Sequence, residues 1–318
     1  MKSRVRSLES EQMITISKQL FENKLMENLN LTKVNAPLFV AENSGLNDNL
    51  NGVERPVTFS LGGVSHEIVH SLAKWKRWYL GELKAQQGEG IVTDMKAIRA
   101  DEELSTIHSH LVDQWDWEKV ITKEERNIET LINHATAVYN ALKATDEMVA
   151  KIKGRESTLP ETLTIIHTEE LLSLYPDLSA KEREHTIAKQ YGAVLLIGIG
   201  GQLSSGEAHD LRAPDYDDWT SKNSKGYFGL NADVIVWDDV RKKSLEISSM
   251  GVRVDELALL HQLELTGQQQ RKDFPFHKAL LNGELPYTIG GGIGQSRVVM
   301  FVNKIAEISA VQPIFAAY

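Results

Sequence analysis

A glycine-rich segment near the carboxyl end of the chain leads into an arginine. Gly290, Gly292 and Gly294 precede Arg297, and the apolar stretch 298–305 predicts a helix that begins there. A helix N-terminus offers free N–H groups and a positive dipole end, and glycines let a nucleotide approach the backbone closely. An arginine at that point can bind phosphate or stack on a base. A plain glycine-rich helix entry with a solvated arginine fits the pattern equally well.

Two carboxylates, Asp233 and Glu246, lie on neighbouring predicted strands that a charged turn joins. A hairpin would bring them together, and Mg²⁺ is commonly held by one or two carboxylates together with substrate phosphates. Carboxylates on strands are more often directed to solvent, so the pair by itself favours the simpler interpretation.

Two other segments concentrate polar and aromatic residues. The stretch 212–219 holds one arginine and three aspartates, which is typical of a solvated turn or of an active-site loop. The stretch 112–117 alternates at strand period, so Gln114 and Asp116 share one face with Val112, whereas both tryptophans lie on the other. An amide and a carboxylate on one face could bind the ammonium group of an amino acid; an exposed sheet edge is the alternative.

Several other patterns fail as sites. Leu203 stands where the dinucleotide fingerprint that starts at Gly198 requires glycine or alanine, and Glu207 stands where a P-loop requires lysine. No carboxylate-rich ligand set surrounds the histidine pairs in sequence. We therefore interpret these residues as structural: His66, His70, His108 and His110.

The elements that must position these residues form a mixed α and β pattern in one large domain, 1–318. Capping boxes at Thr122–Glu125 and Ser179–Glu182 predict two helix starts, the first opening a long helix that ends near Gly154. Pro37 interrupts an extended stretch and indicates an edge or a junction between chains. The other predicted helices are 8–29, 257–265 and 275–282, and the other predicted strands are 163–167, 193–199, 234–237 and 244–254.

Composition narrows the possible functions. The chain has 318 residues, a net charge of −9 and no cysteine, which excludes disulfides, thiolate zinc sites and cysteine nucleophiles. The acidic balance argues against a nucleic-acid surface. No apolar run reaches the roughly 18 residues of a membrane helix, and residues 1–4 lack the apolar stretch of a signal peptide. We therefore expect a cytoplasmic protein with neither nucleic-acid nor membrane partners.

Taken together, these segments resemble the ammonia-dependent asparagine synthetase A family, from the first helix nearly to the end of the chain. The matching segments are His70–Arg77, Met95–Arg99, Val112–Glu118, Arg212–Trp219, Glu246–Arg253 and Gly290–Arg297. Two departures from the family pattern lie outside these segments: 57–66 is shortened, and the terminus at 314–318 stops early.

The resemblance implies an α+β fold like the catalytic core of class II aminoacyl-tRNA synthetases, a mostly antiparallel sheet flanked by helices. It implies a ligase that makes asparagine from aspartate, ammonia and ATP through a β-aspartyl-adenylate, releasing AMP and pyrophosphate. It also implies Mg²⁺ and a homodimer, with the first helix and Pro37 at the two-fold interface.

The resemblance also assigns roles to single residues. The catalytic residues would be Arg99, Lys76 and Arg297. The nucleotide would contact Arg99, Asp233, Glu246, Ser249, Gly292, Gly294 and Arg297, and the metal would be held by Asp233 and Glu246. Aspartate would be held by Asp48, Ser71, Lys76, Gln114, Asp116, Arg212, Asp217 and Arg253. Because the side-chain carboxylate must react, we expect aspartate to bind with its α-carboxylate on Lys76 and Arg253.

Two other functions use the same core. An aspartyl-tRNA-synthetase-like charging enzyme would need a surface for tRNA, which the acidic balance and the lack of spare sequence for an anticodon-binding module disfavour. A catalytically inactive amino-acid or nucleotide sensor would not need to retain all the candidate cations and both metal carboxylates. A glutamine-using synthetase would need a cysteine, which the chain lacks.

Overall fold

A computed structural model describes residues 7–48, 50 and 54–313. The predicted early terminus at 314–318 therefore lies outside the described residues. Within the described part of the chain, no helix is long and apolar enough to cross a membrane.

An eight-stranded mixed sheet organises the fold, with a separate three-stranded sheet beside it. The strands are β1 (Leu31–Lys33), β2 (Phe39–Ala41), β3 (Thr58–Leu61), β4 (Val64–Ile68), β5 (Gly90–Ile98), β6 (Leu111–Val120), β7 (Thr164–His167), β8 (Ala193–Ile197), β9 (Asn231–Asp238), β10 (Lys243–Val252) and β11 (Thr288–Gly294). The large sheet has the order β1-β5-β6-β11-β10-β9-β8-β7. Its inner pairings are antiparallel, whereas the outermost pairs, β1 with β5 and β7 with β8, are parallel. The predicted α+β class is confirmed, and the sheet is mostly antiparallel, as expected, with parallel pairs at its two edges that were not predicted.

Eight α-helices flank the sheet within the described residues. They are α1 (Leu8–Leu29), α2 (Ala73–Glu82), α3 (Ile128–Ile152), α4 (Thr168–Leu174), α5 (Ala180–Tyr191), α6 (Glu256–Leu265), α7 (Pro275–Leu281) and α8 (Gln295–Asn303). Helices α1, α3 and α8 cover one face of the sheet and form the main apolar core with it. On the opposite face, α4 and α5 pack near β7 and β8, and α2 packs near β5 and β6. The middle of that face remains free for a cavity.

Local capping explains where the helices begin. Ser179 and Glu182 form the predicted capping box of α5, and Gly192 ends that helix with φ 79°. The prediction for α3 was wrong by several residues. Thr122 and Glu125 exchange the expected capping bonds, but they close a separate turn, and the helix begins at Ile128 with Asn127 as its cap.

The glycine-rich segment is itself a strand, and it leads directly into a helix as the sequence predicts, with Gly294 as the helix N-cap. Gly290–Gly294 belong to β11, and α8 begins at Gln295. The backbone N–H of Ser296 donates to Asp113 Oδ1 at 3.0 Å, so this first-turn donor is used within the protein. Gly290 pairs with Glu118 of β6 and Gly251 of β10. Because side chains of the neighbouring strands β6 and β10 pack over β11, only glycine fits in this part of the strand.

Pro37 lies between the two sheets. It follows β1 at the edge of the large sheet and precedes β2 of the small sheet, whose order is β2-β4-β3. The proline therefore occupies neither ladder, as expected for a residue that cannot donate a ladder hydrogen bond; the predicted junction between chains stays a prediction.

Gly290→Ala should destabilise the protein. A Cβ at that position would lie 1.9 Å from Glu118 Oε2 and 2.6 Å from the backbone oxygen of Trp117. We expect a loss of about 1–3 kcal/mol of unfolding free energy, because an overpacked buried site must shift its neighbours. Equilibrium unfolding in urea measures it.

Gly294→Ala is the matched control in the same strand, since the nearest atom to its added Cβ would be 3.4 Å away. Equal stability of the two variants would contradict the steric account of Gly290.

Candidate active site

A cavity of about 420 Å³ occupies the free middle of the sheet. Its floor is formed by β6, β11 and β10, and its walls come from the loop 210–217, from α2 at Ala73 and from α5 at Lys181. Asp116 of β6 and Ser249 of β10 flank Gly292 of β11 in the floor. Gly292 carries no side chain, so the floor is low at its centre and polar on both sides.

The alternation predicted for 112–117 is present. Gln114 and Asp116 line the cavity. Trp115 and Trp117 lie in the core on the other face, where Trp115 stacks on Phe21 with ring centroids 4.6 Å apart. The tryptophans therefore fix the strand against α1 while the polar residues face the cavity.

Arg253 is buried beneath one wall of the cavity. Its Nη2 donates to Glu118 Oε2 at 2.7 Å, and its Nη1 donates to Asp217. Burial acts to lower the pKa of Arg253, but the two carboxylates outweigh it and raise the pKa. For Asp217, burial dominates and raises the pKa despite Arg253. The guanidinium thus ties the loop 212–219 to the central strands.

Lys76 lies one layer behind the cavity rather than in its wall. Its ammonium group is fully buried and donates to Asp116 Oδ1 at 2.7 Å and to the backbone oxygens of Trp117 at 3.0 Å and Gly291 at 3.1 Å. A lysine ammonium has three donors, and all three are engaged here. Direct contact of Lys76 with aspartate stays a prediction, and it would require one of these bonds to be exchanged.

Asp233 and Glu246 lie on the same face of β9 and β10. Glu246 pairs with Ile235, and a β-bulge between Glu246 and Ser248 brings Ser249 opposite Asp233. The bulge inserts one residue, so Glu246 and Ser249 face the cavity although they are three apart. The predicted hairpin geometry is therefore present, with an irregularity that the sequence does not reveal.

The pKa values of these two carboxyl groups are shifted in opposite directions. Burial, opposed by Arg212 and reinforced by Glu246, raises the pKa of Asp233 to about 7. Burial would also raise the pKa of Glu246, but Arg297 and Arg212 outweigh it and lower the pKa. The side chain of Asp233 is 7% exposed and that of Glu246 is 39% exposed, so burial disfavours the negative charge of Asp233 more strongly than that of Glu246. A cation placed between them would relieve this repulsion.

Among the described residues, no group of three or more His, Asp and Glu side chains could hold a metal alone. A metal at Asp233 and Glu246 would therefore need further ligands, and phosphate oxygens are the usual ones for Mg²⁺. The donor set fits a metal that arrives with a phosphate-bearing substrate.

Three arginines line the outer part of the cavity. Arg212 Nη2 donates to Asp233 Oδ1 at 2.5 Å and to Ser249 Oγ at 2.9 Å. Arg297 Nη1 donates to the backbone oxygen of Glu246 at 3.1 Å. Arg99 lies 3.7 Å from Glu102, and burial lowers the pKa of Arg99. The three arginine side chains together are suited to binding a polyanion.

Asp48 lies behind Ser71 at the inner end of the cavity. It is fully buried, and its Oδ2 accepts from Ser71 Oγ at 2.5 Å and from the backbone N–H of Ala73 at 2.6 Å. Burial raises the pKa of Asp48, and Lys74 only partly offsets that rise.

The structure brings most of the sequence-predicted residues into one cavity. Those that line it are Ser71, Arg99, Gln114, Asp116, Arg212, Asp217, Glu246, Ser249, Arg253, Gly292, Gly294 and Arg297. Asp48, Lys76 and Asp233 lie directly behind, each bonded to a lining residue.

Sequence reasoning missed several titratable groups in the cavity wall, among them His108 and Lys181. His108 lines the cavity, and burial followed by Arg297 lowers its pKa, whereas its sequence partner His110 bonds to the backbone oxygen of Arg99. His108 lies between the second and third matching segments and belongs to neither, so the resemblance gave no signal for it. Lys181 projects from α5 to Glu184 at 3.0 Å and Asp210 at 3.2 Å. Its spacing in the sequence gave no signal, because only the tertiary fold brings α5 to this cavity.

Comparison with known proteins gives one consistent result. A family model described as aspartate-ammonia ligase matches residues 8–316. An aspartate–ammonia ligase of Clostridium perfringens is 53% identical over 308 residues, covering 96% of this chain and 89% of the relative. The enzyme of that name from Bacteroides fragilis is 52% identical over 299 residues, covering 93% and 87%.

Solved structures show the same fold at low identity. Asparaginyl-tRNA synthetase from Pyrococcus horikoshii, complexed with asparaginyl-adenylate, has a TM-score of 0.68 and 13% identity, covering 95% of this chain and 68% of the other. The Entamoeba histolytica enzyme with the same ligand also has a TM-score of 0.68 and 13% identity, covering 97% and 67%. These neighbours confirm the expected class II synthetase-like core.

Lys76→Met should lower the unfolding free energy by about 3–5 kcal/mol, because it leaves the buried Asp116 carboxylate without its cation. Urea unfolding measures the change. Lys24→Met is the matched control: Lys24 lies at the same 2.7 Å from Glu27, but on the surface, where such a pair contributes about 0–1 kcal/mol. Similar losses in both variants would contradict a structural role for the buried ion pair.

Proposed function

The chain belongs to the aspartate–ammonia ligase family, and from that membership we propose that its cavity joins ammonia to the side-chain carboxylate of aspartate through a β-aspartyl-adenylate. The overall activity is the ATP-dependent synthesis of L-asparagine from L-aspartate and ammonia. The observation that best supports the adenylate is the division of one cavity into an outer cationic part and an inner part lined by Gln114 and Asp116.

Activation is needed because a carboxylate is a poor electrophile. ATP supplies it when the aspartate side chain attacks the α-phosphorus and pyrophosphate leaves. Negative charge then builds on the phosphate oxygens, and preorganised cations stabilise it best in a site that excludes water. Arg99 and Arg297 line the outer cavity and are the groups we assign to this task. Ammonia next attacks the acyl carbon, and AMP is the leaving group.

Aspartate would lie in the inner cavity with its α-carboxylate away from the nucleotide. Arg253 lines that region and is the cation we assign to the α-carboxylate, while Gln114 and Asp116 face the α-ammonium group. Lys76 would act as a positioning residue, since it holds Asp116 in place. Ser71, held by Asp48, closes the inner end.

We also propose that Asp233 and Glu246 hold Mg²⁺ together with ATP. When bound, the metal would neutralise phosphate charge. Arg212 holds Asp233, and Arg297 Nη1 lies 3.7 Å from Glu246 Oε1. An arginine of the protein therefore orients each carboxylate.

Two copies of the chain would associate through the region around Pro37. Leu38 and Phe39, which follow the proline, are 52% and 36% exposed. Leu61 and Val64 on the neighbouring small sheet are also exposed. Large apolar side chains grouped on one surface support an interface there.

The nitrogen donor and products test the function directly. With aspartate, ATP, Mg²⁺ and ammonium, we expect asparagine, AMP and pyrophosphate in equal amounts, and glutamine should not replace ammonium because the chain has no cysteine. Chromatography of nucleotides and amino acids measures all products. Formation of ADP and phosphate would rule out the adenylate.

Asp233→Asn and Glu246→Gln should raise the Mg²⁺ concentration needed for half-maximal ATP–pyrophosphate exchange by about tenfold or more, because each removes a charged metal ligand. The apparent affinity for aspartate should change little. Asp239→Asn is the control: it lies in the turn between the same strands, 44% exposed. A wild-type magnesium titration in either test variant would show that the metal is held elsewhere.

A further inference from the structure

One end of the active-site cavity, beside the start of β6, is apolar and has no role in the chemistry described above. Its lining residues are Ile107, Leu111, Val112 and Ile308, together with the side chain of Gln312. Resting on the proposed function, which requires ATP, we propose that Gln312 selects the adenine base at this end of the cavity by accepting a hydrogen bond from its 6-amino group.

The apolar residues come from two separate parts of the chain that are joined here. The backbone N–H of Ile308 donates to the backbone oxygen of Thr106 at 2.8 Å, and Ile107 packs against the same small core as Ile308. Ligand sites are commonly apolar, with a few polar groups that fix the orientation of the ligand. A flat heteroaromatic base suits such a wall, whereas charged phosphates do not.

The apolar end adjoins the arginine that we assign to the α-phosphate. The backbone N–H of Arg99 donates to the backbone oxygen of His110 at 2.8 Å, and the preceding residue, Ile98, pairs with Leu111 across β5 and β6. Arg99 and the apolar residues line the same cavity. A nucleotide with its α-phosphate on Arg99 therefore has space for its base in the neighbouring apolar end.

The amide group of Gln312 is held in one orientation. Its Nε2 donates to the backbone oxygen of Leu111 at 2.8 Å. Because that oxygen can only accept, the amide cannot be turned to place its own oxygen there. The backbone N–H of Gln312 also donates, to the backbone oxygen of Ile308 at 3.2 Å. Both the residue and its side chain are thus fixed, with the side-chain oxygen directed away from Leu111.

That oxygen is an acceptor without a donor. Gln312 is only 4% exposed, and no residue in the described part of the chain donates to its Oε1. The atom is not enclosed in the core, since it keeps accessible surface where the residue lines the cavity. A largely buried carbonyl oxygen without a donor is unfavourable, and a ligand that donates a hydrogen bond would remove that cost.

The neighbouring polar side chains are engaged locally. Ser109 Oγ accepts from the backbone N–H of Leu111 at 3.3 Å, and His108 Nδ1 bonds to Ser105 Oγ at 2.8 Å. Gln312 Oε1 is therefore the group that we assign to the edge of the base.

A fixed acceptor discriminates between purine bases. Adenine carries an amino donor at the position where guanine carries the acceptor O6. The amino group would complete the hydrogen bonding of Gln312, whereas O6 would bring two oxygens with lone pairs together. A site that hydrogen-bonds one substrate strongly rejects an analogue that leaves its buried polar group unpaired. Gln312 is thus a specificity-determining residue for ATP over GTP.

Binding of AMP and of purine riboside 5′-monophosphate, which lacks the 6-amino group, tests the proposal. By calorimetry, wild-type protein should bind AMP about tenfold more tightly, the effect of one net hydrogen bond. Gln312→Met keeps the length of the side chain but has no amide, so it should weaken AMP alone and bring the two dissociation constants within twofold. Gln86→Met is the matched control: Gln86 Nε2 also donates to a backbone oxygen, that of Lys84 at 2.7 Å, but the residue does not line the cavity.

A purely structural role for Gln312 would give a different result. The variant would then weaken both nucleotides equally and keep their ratio, which would overturn the proposal. Equal affinities in the wild-type protein would overturn it without any variant, and Gln312→Asn, which withdraws the oxygen from the base, replaces Gln312→Met if that variant does not fold. These measurements need no catalysis. Absence of aspartate-dependent ATP–pyrophosphate exchange in the wild-type protein would defeat the proposed function while leaving the base preference intact.

Discussion

The arrangement of the active site depends on burying two cations beside β11, a strand in which three consecutive residues, Gly290–Gly292, carry no side chain. Lys76 and Arg253 reach the carboxylates of Asp116 and Glu118 from opposite sides of β11. Gly290 leaves the space that Glu118 occupies. Buried charges are tolerated when each is paired and hydrogen-bonded, and here the pairing joins α2, β6, β10 and the loop 212–219 into one unit.

The cavity is divided into an inner part with carboxylates and an outer part with arginines. The inner carboxylates are already partnered by protein cations, so their orientation is fixed before any substrate arrives. The outer arginines are held by Asp233 and by the backbone at Glu246. Preorganised dipoles and charges of this kind need little rearrangement during reaction. The loop 212–219 contributes to both regions, through Arg212 in the outer part and Asp217 in the inner part.

Local patterns in the sequence were sufficient for much of this fold. The helix 8–29, the capping box of α5 and the two faces of β6 follow from spacing and capping chemistry, and the structure confirms them. The bulge near Ile247 could not be foreseen, because it depends on how two strands pair. The strand formed by the glycine segment was missed for a similar reason, because its need for glycine comes from residues that are neighbours only in space. The resemblance identified the cavity residues, but it could not show that Lys76 lies behind Asp116, since depth is a property of tertiary packing.

The paired burial of Lys76 with Asp116, and of Arg253 with Glu118, has a consequence for how such a sequence can vary. Loss of either member leaves an uncompensated charge in a dry interior, and that costs more than the pair itself contributes. Single substitutions at these positions are therefore costly, whereas a simultaneous exchange of Lys76 and Asp116 for well-packed apolar residues need not be. Arg253 also donates to Asp217, so the same exchange there would have to include Asp217. Descendants of this chain would retain or replace each buried ionic group as a whole, and a designer who alters amino-acid selectivity here would have to change its members together.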